Sequence, residues 1–313
     1  MDTHASHHGG RVEDRRLVTG SGKYASDWSL PGQLYAAFVR SDRAHAEIVS
    51  VNTAKAARHP GVKRVYTGED AIAAGYTKYF VIVSYPGRGG KHIIKPPRPM
   101  LAARRVRHVG DAVAMVVADS PVAAQDAAEL VEIEYRDLPA VVSAEAALAP
   151  GAPQLHEEAP GNLSFDYESG NEEAANAALA QAAHVTRLKL EVSRVAPSPM
   201  EPRGCTVRYD AQDGTYHVHV CIQGINMMRK QLAAMTDVPE DKLVVHAQDI
   251  GGSFGQRSAA YPEYAMQMLA AKELSRPVRW ISTRSEGFMS DTHGRANTVS
   301  GELALDRDRK SVV

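Results

Sequence analysis

The spacing of apolar positions changes several times along this chain, and each change marks an element. YAAFVRS (35–41) and EIVSVN (47–52) read as strands joined by a short polar connection. Thr53 is placed to cap a brief helix that stops at Pro60-Gly61. VKRVYTG is strand-like, and Glu69 to Ala74 is helical. SYPGRGGKHIIKPPRP (84–99) is a loop rich in proline and glycine. AVAMVVAD (112–119) is an unbroken apolar run, as a strand covered on both faces requires. Ser120 suits the N-cap of the next helix and Pro121 its first position. AAQDAAELV follows as a helix, and VEIEYR (131–136) alternates as a strand. That strand–helix–strand order predicts a small α/β domain ending near residue 138.

Residues 139–163 turn Pro-, Gly- and Ala-rich and read as a linker. Beyond them, Glu172 to Ala183 is an Ala-rich helix, and HVTRLKLEVSRV (184–195) alternates as a half-buried strand. The chain breaks at APSPMEPRG and resumes as CTVRYD and TYHVHVCIQG. Asp213-Gly214 between them is a hairpin signal. A helix starts near Asn226 and ends at Val238-Pro239; KLVVHAQDI (242–250) is a strand. Pro262 opens the helix EYAMQMLAAKEL, and VRWIS returns to strand. Three interruptions, at 197–204, 223–226 and 251–257, each follow a strand and are expected to converge on one end of a sheet.

The third interruption holds the most informative stretch, DIGGSFGQR (249–257). A cluster of glycines meets a backbone need: a positive φ or a close approach. The loop lies between a strand and a helix. In α/β structures ligands sit beyond the carboxyl ends of strands, and N–H groups near a helix start favour anionic or oxo ligands. The other reading is a tight turn with Phe254 plugging the core, and spacing alone does not choose between them.

Composition removes several function classes. At 313 residues the length prior is about two domains. Apolar content of 44% and charged content of 23% fit an ordinary globular chain. A net charge of −1 with no basic block gives no nucleic-acid footprint, and Arg104, Arg105 and Arg107 read as a solvated face. Cys205 and Cys221 form no disulfide framework or metal-ligand pattern and read as buried thiols. No apolar run approaches the roughly 18 residues of a membrane span, and the N-terminus lacks a signal-peptide core. A cytoplasmic location is the expectation. Residues 1–18 read as a flexible tail, so His4, His7 and His8 are expected to hold no metal. TGSGKY (19–24) lacks the spacing of a phosphate loop.

GGSFGQR resembles the Gly-Gly-x-Phe-Gly-x-Lys/Arg loop of the xanthine dehydrogenase/aldehyde oxidase family, in its molybdopterin-binding large subunit. The resemblance includes the large subunit of the aerobic carbon monoxide dehydrogenase type. RLVTGSGKYASD, PMLAARRVRHVGDAVAMVVADSPVAAQDAAELVEIEY, PMEPRGC, CIQG, DIGGSFGQRSAAYPEY, RPVRWISTRSE and SDTHGR follow in that family's order. The resemblance implies an α+β fold: a small α/β hammerhead domain (19–138), the linker (139–163), and the first part of a mixed α/β molybdopterin-binding domain (164–313), truncated. It implies that Gln223 faces an oxo ligand of the metal; the alternative is a polar strand end facing water. Gly252, Ser253, Phe254, Gly255 and Arg257 would contact the molybdenum–molybdopterin cofactor, in its cytosine dinucleotide form. Phe254 and Glu201 would border the substrate pocket, with a buried structural role for Glu201 and Arg203 as the competing reading. Arg257 has a structural carboxylate as its alternative partner. No residue is a direct metal ligand.

The resemblance further implies oxidative hydroxylation of a heteroaromatic or aldehyde substrate, or oxidation of carbon monoxide, with water as the oxygen source. Electrons would leave through an iron–sulfur subunit carrying 2Fe-2S clusters and an FAD subunit. Ser253 departs from the common glycine, and Ser258 stands where xanthine-specific relatives carry a glutamate, which argues against purine specificity. The family's chain runs on for several hundred residues. This sequence therefore reads as a fragment, or as one piece of a split large subunit whose second piece is a further partner. The general base is expected beyond residue 313, and Arg309 stands where a turn glycine would help the last strand reverse. A non-catalytic remnant or assembly module that binds partner subunits is the competing function.

Overall fold

The computed structural model describes residues 10–77 and 84–308. The strands are β1 (Leu34–Arg40), β2 (Ala46–Asn52), β3 (Val62–Thr67), β4 (Arg105–Val106), β5 (Ala112–Ala118) and β6 (Glu132–Asp137) in the first half. The second half adds β7 (His184–Val195), β8 (Gly204–Asp210), β9 (Thr215–Val220), β10 (Leu243–His246), β11 (Val278–Ile281) and β12 (Gly294–Leu305). Five helices matter below: α1 (Asp14–Val18), α2 (Pro121–Ala128), α3 (Ile225–Thr236), α4 (Pro262–Glu273) and α5 (Arg284–Ser290).

A seven-stranded sheet in the order β10-β9-β8-β11-β1-β5-β3 forms the core. The unbroken apolar run of β5 takes its place between β1 and β3, with Val113 to Ala118 buried. Ser120 caps α2 as expected: its Oγ accepts the Ala123 N–H at 3.1 Å, and Pro121 takes the first turn. The predicted strand–helix–strand unit does not close within one sheet. β6 instead joins β4 and β2 in a separate three-stranded sheet. β1 pairs in parallel with β11, Leu34 opposite Val278, so the large sheet runs across the expected boundary near 138. β7 and β12 form a two-stranded antiparallel ribbon on their own.

Helix α4 is buried from Pro262 to Ala271, which its mixed sequence did not announce. Gln267 Nε2 donates to the carbonyls of Cys205 and Val278, while its buried Oε1 has no partner among the described residues. Glu263 anchors an ionic network. Arg203 Nη1 donates to Glu263 Oε2 at 2.9 Å, and Arg203 Nε to Asp291 Oδ1 at 2.5 Å. Arg40 of β1 reaches Glu263 at 2.8 Å and Glu286 at 2.7 Å. Burial alone would raise the Glu263 carboxyl, but the Arg203 and Arg40 guanidiniums hold it well below the usual carboxylate range.

Residues 14–18, inside the stretch expected to be a flexible tail, are helical. Arg16 donates twice to Asp249, at 2.5 and 2.6 Å, which ties α1 to the end of the glycine loop. The reason is a long-range charge pair that the local sequence does not reveal. His4, His7, His8 and Arg309 lie outside the described residues. Both cysteines are buried and free, and burial pushes their thiols up.

Candidate functional site

Strand β10 ends at His246 and runs into the loop 249–257, which the rest of the chain holds from behind. Asp249 accepts the Lys23 N–H and both Arg16 donors, and these bonds bring its carboxyl down to about 2. The Gly251 N–H donates to Glu201 Oε2 at 2.7 Å, and the Gly251 carbonyl accepts the Glu201 N–H at 3.1 Å. A Cβ on Gly251 would lie 2.5 Å from Glu201 Cβ. One of the three glycines therefore exists because the chain's own 199–201 segment crosses it. Gly252 and Gly255 answer a different need, with φ of 111° and 95°. Phe254 also holds a left-handed φ, 50°, which a bulky residue rarely adopts.

The three interruptions do converge. Pro199 packs against Gly252. Arg284, at the start of α5, fixes the carbonyls of Pro199 and Met200 at 2.8 Å each. The Gln223 N–H donates to the Arg257 carbonyl at 2.8 Å, and Ser253 Oγ donates to Gln223 Oε1 at 2.8 Å. Gln223, Phe254, Gly255 and Ser258 are exposed. Among the described residues, the N–H groups of Gly252, Ser253, Phe254 and Gly255 donate to no protein acceptor. The loop thus leaves several N–H donors without a protein acceptor near the Gln223 amide, and successive main-chain donors of this kind suit anionic or oxo groups.

Phe254 does not plug the core: it is 74% exposed. Glu201, expected at the pocket border, is 7% exposed. Its carboxylate is taken up by the N–H groups of Ala25 and Gly251, so it supports the loop. Arg257, expected to contact the cofactor, is 1% exposed. It donates to the Glu201 carbonyl at 3.0 Å and to Asp291 at 3.3 Å, so it braces the loop from within. Glu201 and Arg203 are both buried, yet Arg203 pairs with Glu263 and Asp291, not with Glu201. The role of Ser253 in holding Gln223 escaped the sequence reading, because the two stand 30 positions apart.

Residues 19–139 match the family model described as aldehyde oxidase and xanthine dehydrogenase, a/b hammerhead domain. Residues 155–312 match the molybdopterin cofactor-binding domain. The chain is 37% identical to the 6-hydroxypseudooxynicotine dehydrogenase complex subunit gamma of Paenarthrobacter nicotinovorans, over 95% of this chain and 37% of that protein. It is 34% identical to the carbon monoxide dehydrogenase large chain of Afipia carboxidovorans, over 96% of this chain and 37% of that one. The solved quinoline 2-oxidoreductase of Pseudomonas putida 86 superposes with a TM-score of 0.84 at 36% identity, covering 95% of this chain and 37% of that one. The chain spans a little over a third of the length of these relatives, 37% in each case. The chain belongs to the aldehyde oxidase and xanthine dehydrogenase family, carrying its hammerhead domain followed by molybdopterin cofactor-binding domain sequence to residue 312.

Proposed function

We propose that Gln223 and the loop 252–255 form one wall of a molybdenum–molybdopterin site, and that the chain acts as part of a molybdenum hydroxylase large subunit. The open N–H groups of Gly252 to Gly255 carry this reading, because on this face they have no protein acceptor among the described residues. Such donors suit the oxygen-rich periphery of a pterin-bound metal. The bound cofactor would supply the redox chemistry of a hydroxylation that takes its oxygen from water.

The chain's own residues orient and shield. Ser253 Oγ engages Gln223 Oε1, which leaves Gln223 Nε2 as the donor on the open face. Phe254 offers an apolar surface that excludes water from one side. Glu201 and Arg257 keep the loop rigid from behind. No residue of this chain is assigned as general base. The substrate class is a heteroaromatic compound, an aldehyde or carbon monoxide, in line with the substrates in the relatives' names. The partners are an iron–sulfur subunit with 2Fe-2S clusters, an FAD subunit and a second piece of the large subunit. The pterin is the cytosine dinucleotide form and the location cytoplasmic. No described helix is long and apolar enough to cross a membrane.

The test is to purify the chain alone and with co-expressed partner subunits, then measure molybdenum and the fluorescent pterin derivative. Both are expected in the complex, and Gln223→Ala is expected to lower them without changing the circular dichroism. Absence of molybdenum from both preparations would replace this reading with that of a non-catalytic assembly module.

A further inference from the structure

A cavity of about 440 Å³ lies between the 96–99 loop, the 107–111 turn, His156, and the segment 289–293 that leads out of α5. None of its lining residues belongs to the glycine loop. Three guanidiniums line it, those of Arg98, Arg107 and Arg194. Its two carboxylates, Asp111 and Asp291, are already engaged. Asp111 Oδ1 lies 3.1 Å from His108 Nε2, while its Oδ2 accepts the Arg107 N–H at 2.9 Å. Asp291 serves Arg203 and Arg257.

Two of the guanidiniums, those of Arg107 and Arg194, are less satisfied. Arg107 Nε donates to the Leu155 carbonyl at 2.8 Å, but its guanidinium makes no ion pair among the described residues. Arg194, on the ribbon strand β7, makes none either among those residues, and its register partner across the ribbon is another cation, Arg295. Like charges opposed in a ladder are unfavourable. Arg295 and Ala296 both carry left-handed φ, 65° and 55°, so the backbone there is held in a strained form. The Nδ1 atoms of His156 and His293 are buried and have no partner among the described residues. Pro96, Pro97, Pro99 and Met289 supply an apolar wall, beside the hydroxyls of Ser290 and Thr292.

We infer that this cavity binds a small organic carboxylate with a flat apolar body. Guanidiniums grip a carboxylate through paired N–H donors, and Arg194, opposed by Arg295 across the ribbon, gains a counter-charge. The proline and methionine wall covers the apolar body, and the volume lies in the range of ligand clefts, roughly 300–1,000 Å³. Inorganic phosphate shares the oxyanion but has nothing to set against that wall. The site needs no cofactor at residues 252–255.

Titration calorimetry of the full chain with benzoate and, separately, with inorganic phosphate tests the assignment. Benzoate is expected to bind saturably and more tightly than phosphate. Arg194→Glu, a change at an exposed position, is expected to weaken benzoate about tenfold or more, the scale of a lost charge-assisted hydrogen bond, with no loss of thermal stability, since the glutamate would face Arg295 across the ribbon. Arg107→Gln should act in the same direction, and Lys189→Gln, elsewhere on the ribbon, should change nothing. No saturable benzoate binding, phosphate binding as tight as benzoate, or benzoate affinity unaltered in both arginine variants would overturn the assignment.

Discussion

Gly251 and Phe254 sit three positions apart in one loop and differ in what the fold asks of them. At Gly251 the constraint is internal, since a methyl group would meet Glu201 Cβ at 2.5 Å. Overpacking of that kind destabilises by about 1–3 kcal/mol. Gly251→Ala is therefore expected to lower the urea midpoint with an unchanged m-value. Phe254, 74% exposed, contributes little to the core, so Phe254→Ala should shift stability by less than about 0.5 kcal/mol. A large loss in Phe254→Ala would return it to the role of a core plug. The glycine cluster was plain in the sequence, but it suggested one cause for all three residues. Two causes operate, because Glu201 lies 50 positions from Gly251 and no local pattern shows that crossing. The same distance left the roles of Glu201 and Arg257 open in sequence, between site chemistry and structural support, because their partners lie far along the chain.

At the level of elements, apolar period and punctuation located most strands and helices to within a residue or two. β7 spans the alternating run 184–195, though it is exposed almost throughout and not half-buried, and α4 begins at Pro262. The period could not show that α4 is covered on all sides. Its Glu263 looks like a solvent-facing residue in sequence, yet it is the acid shared by Arg203 and Arg40. The depressed Glu263 carboxyl sets a pH dependence. Its stabilisation is present above the ordinary glutamate range and is lost as pH falls through the folded-state value. Glu286, raised by burial against the pull of Arg40, slopes the other way: its contribution falls as pH rises through its own folded-state value. Glu263→Gln should destabilise the chain by about 3 kcal/mol at neutral pH, since it leaves buried guanidiniums short of a counter-charge. It should also flatten the acid limb of the stability profile. Urea midpoints measured from neutral to acid pH decide this, and an acid limb of unchanged slope would remove Glu263 from its cause.

The molecule as a whole is joined where the sequence suggested a seam. Composition marks 139–163 as a linker, and nothing in its residues shows that strands on either side share a sheet. Leu34 of β1 and Val278 of β11 stand 244 positions apart, beyond the reach of any local signal. β1 nevertheless sits between β11 and β5, Leu34 is fully buried there, and Arg40 finds both its carboxylates in the second half. A polypeptide of residues 19–139 would expose the β11-facing edge of β1 and leave Arg40 without Glu263 or Glu286. An uncovered edge of this kind is a template for aggregation, and an unpaired cation on an apolar surface adds to the penalty. The piece is therefore expected to show no cooperative urea transition by far-UV circular dichroism, while the full chain shows a single one. A sigmoidal transition in the isolated piece, with the steepness expected of its size, would mean that the first half folds without β11 and that the shared sheet forms by docking of two finished units.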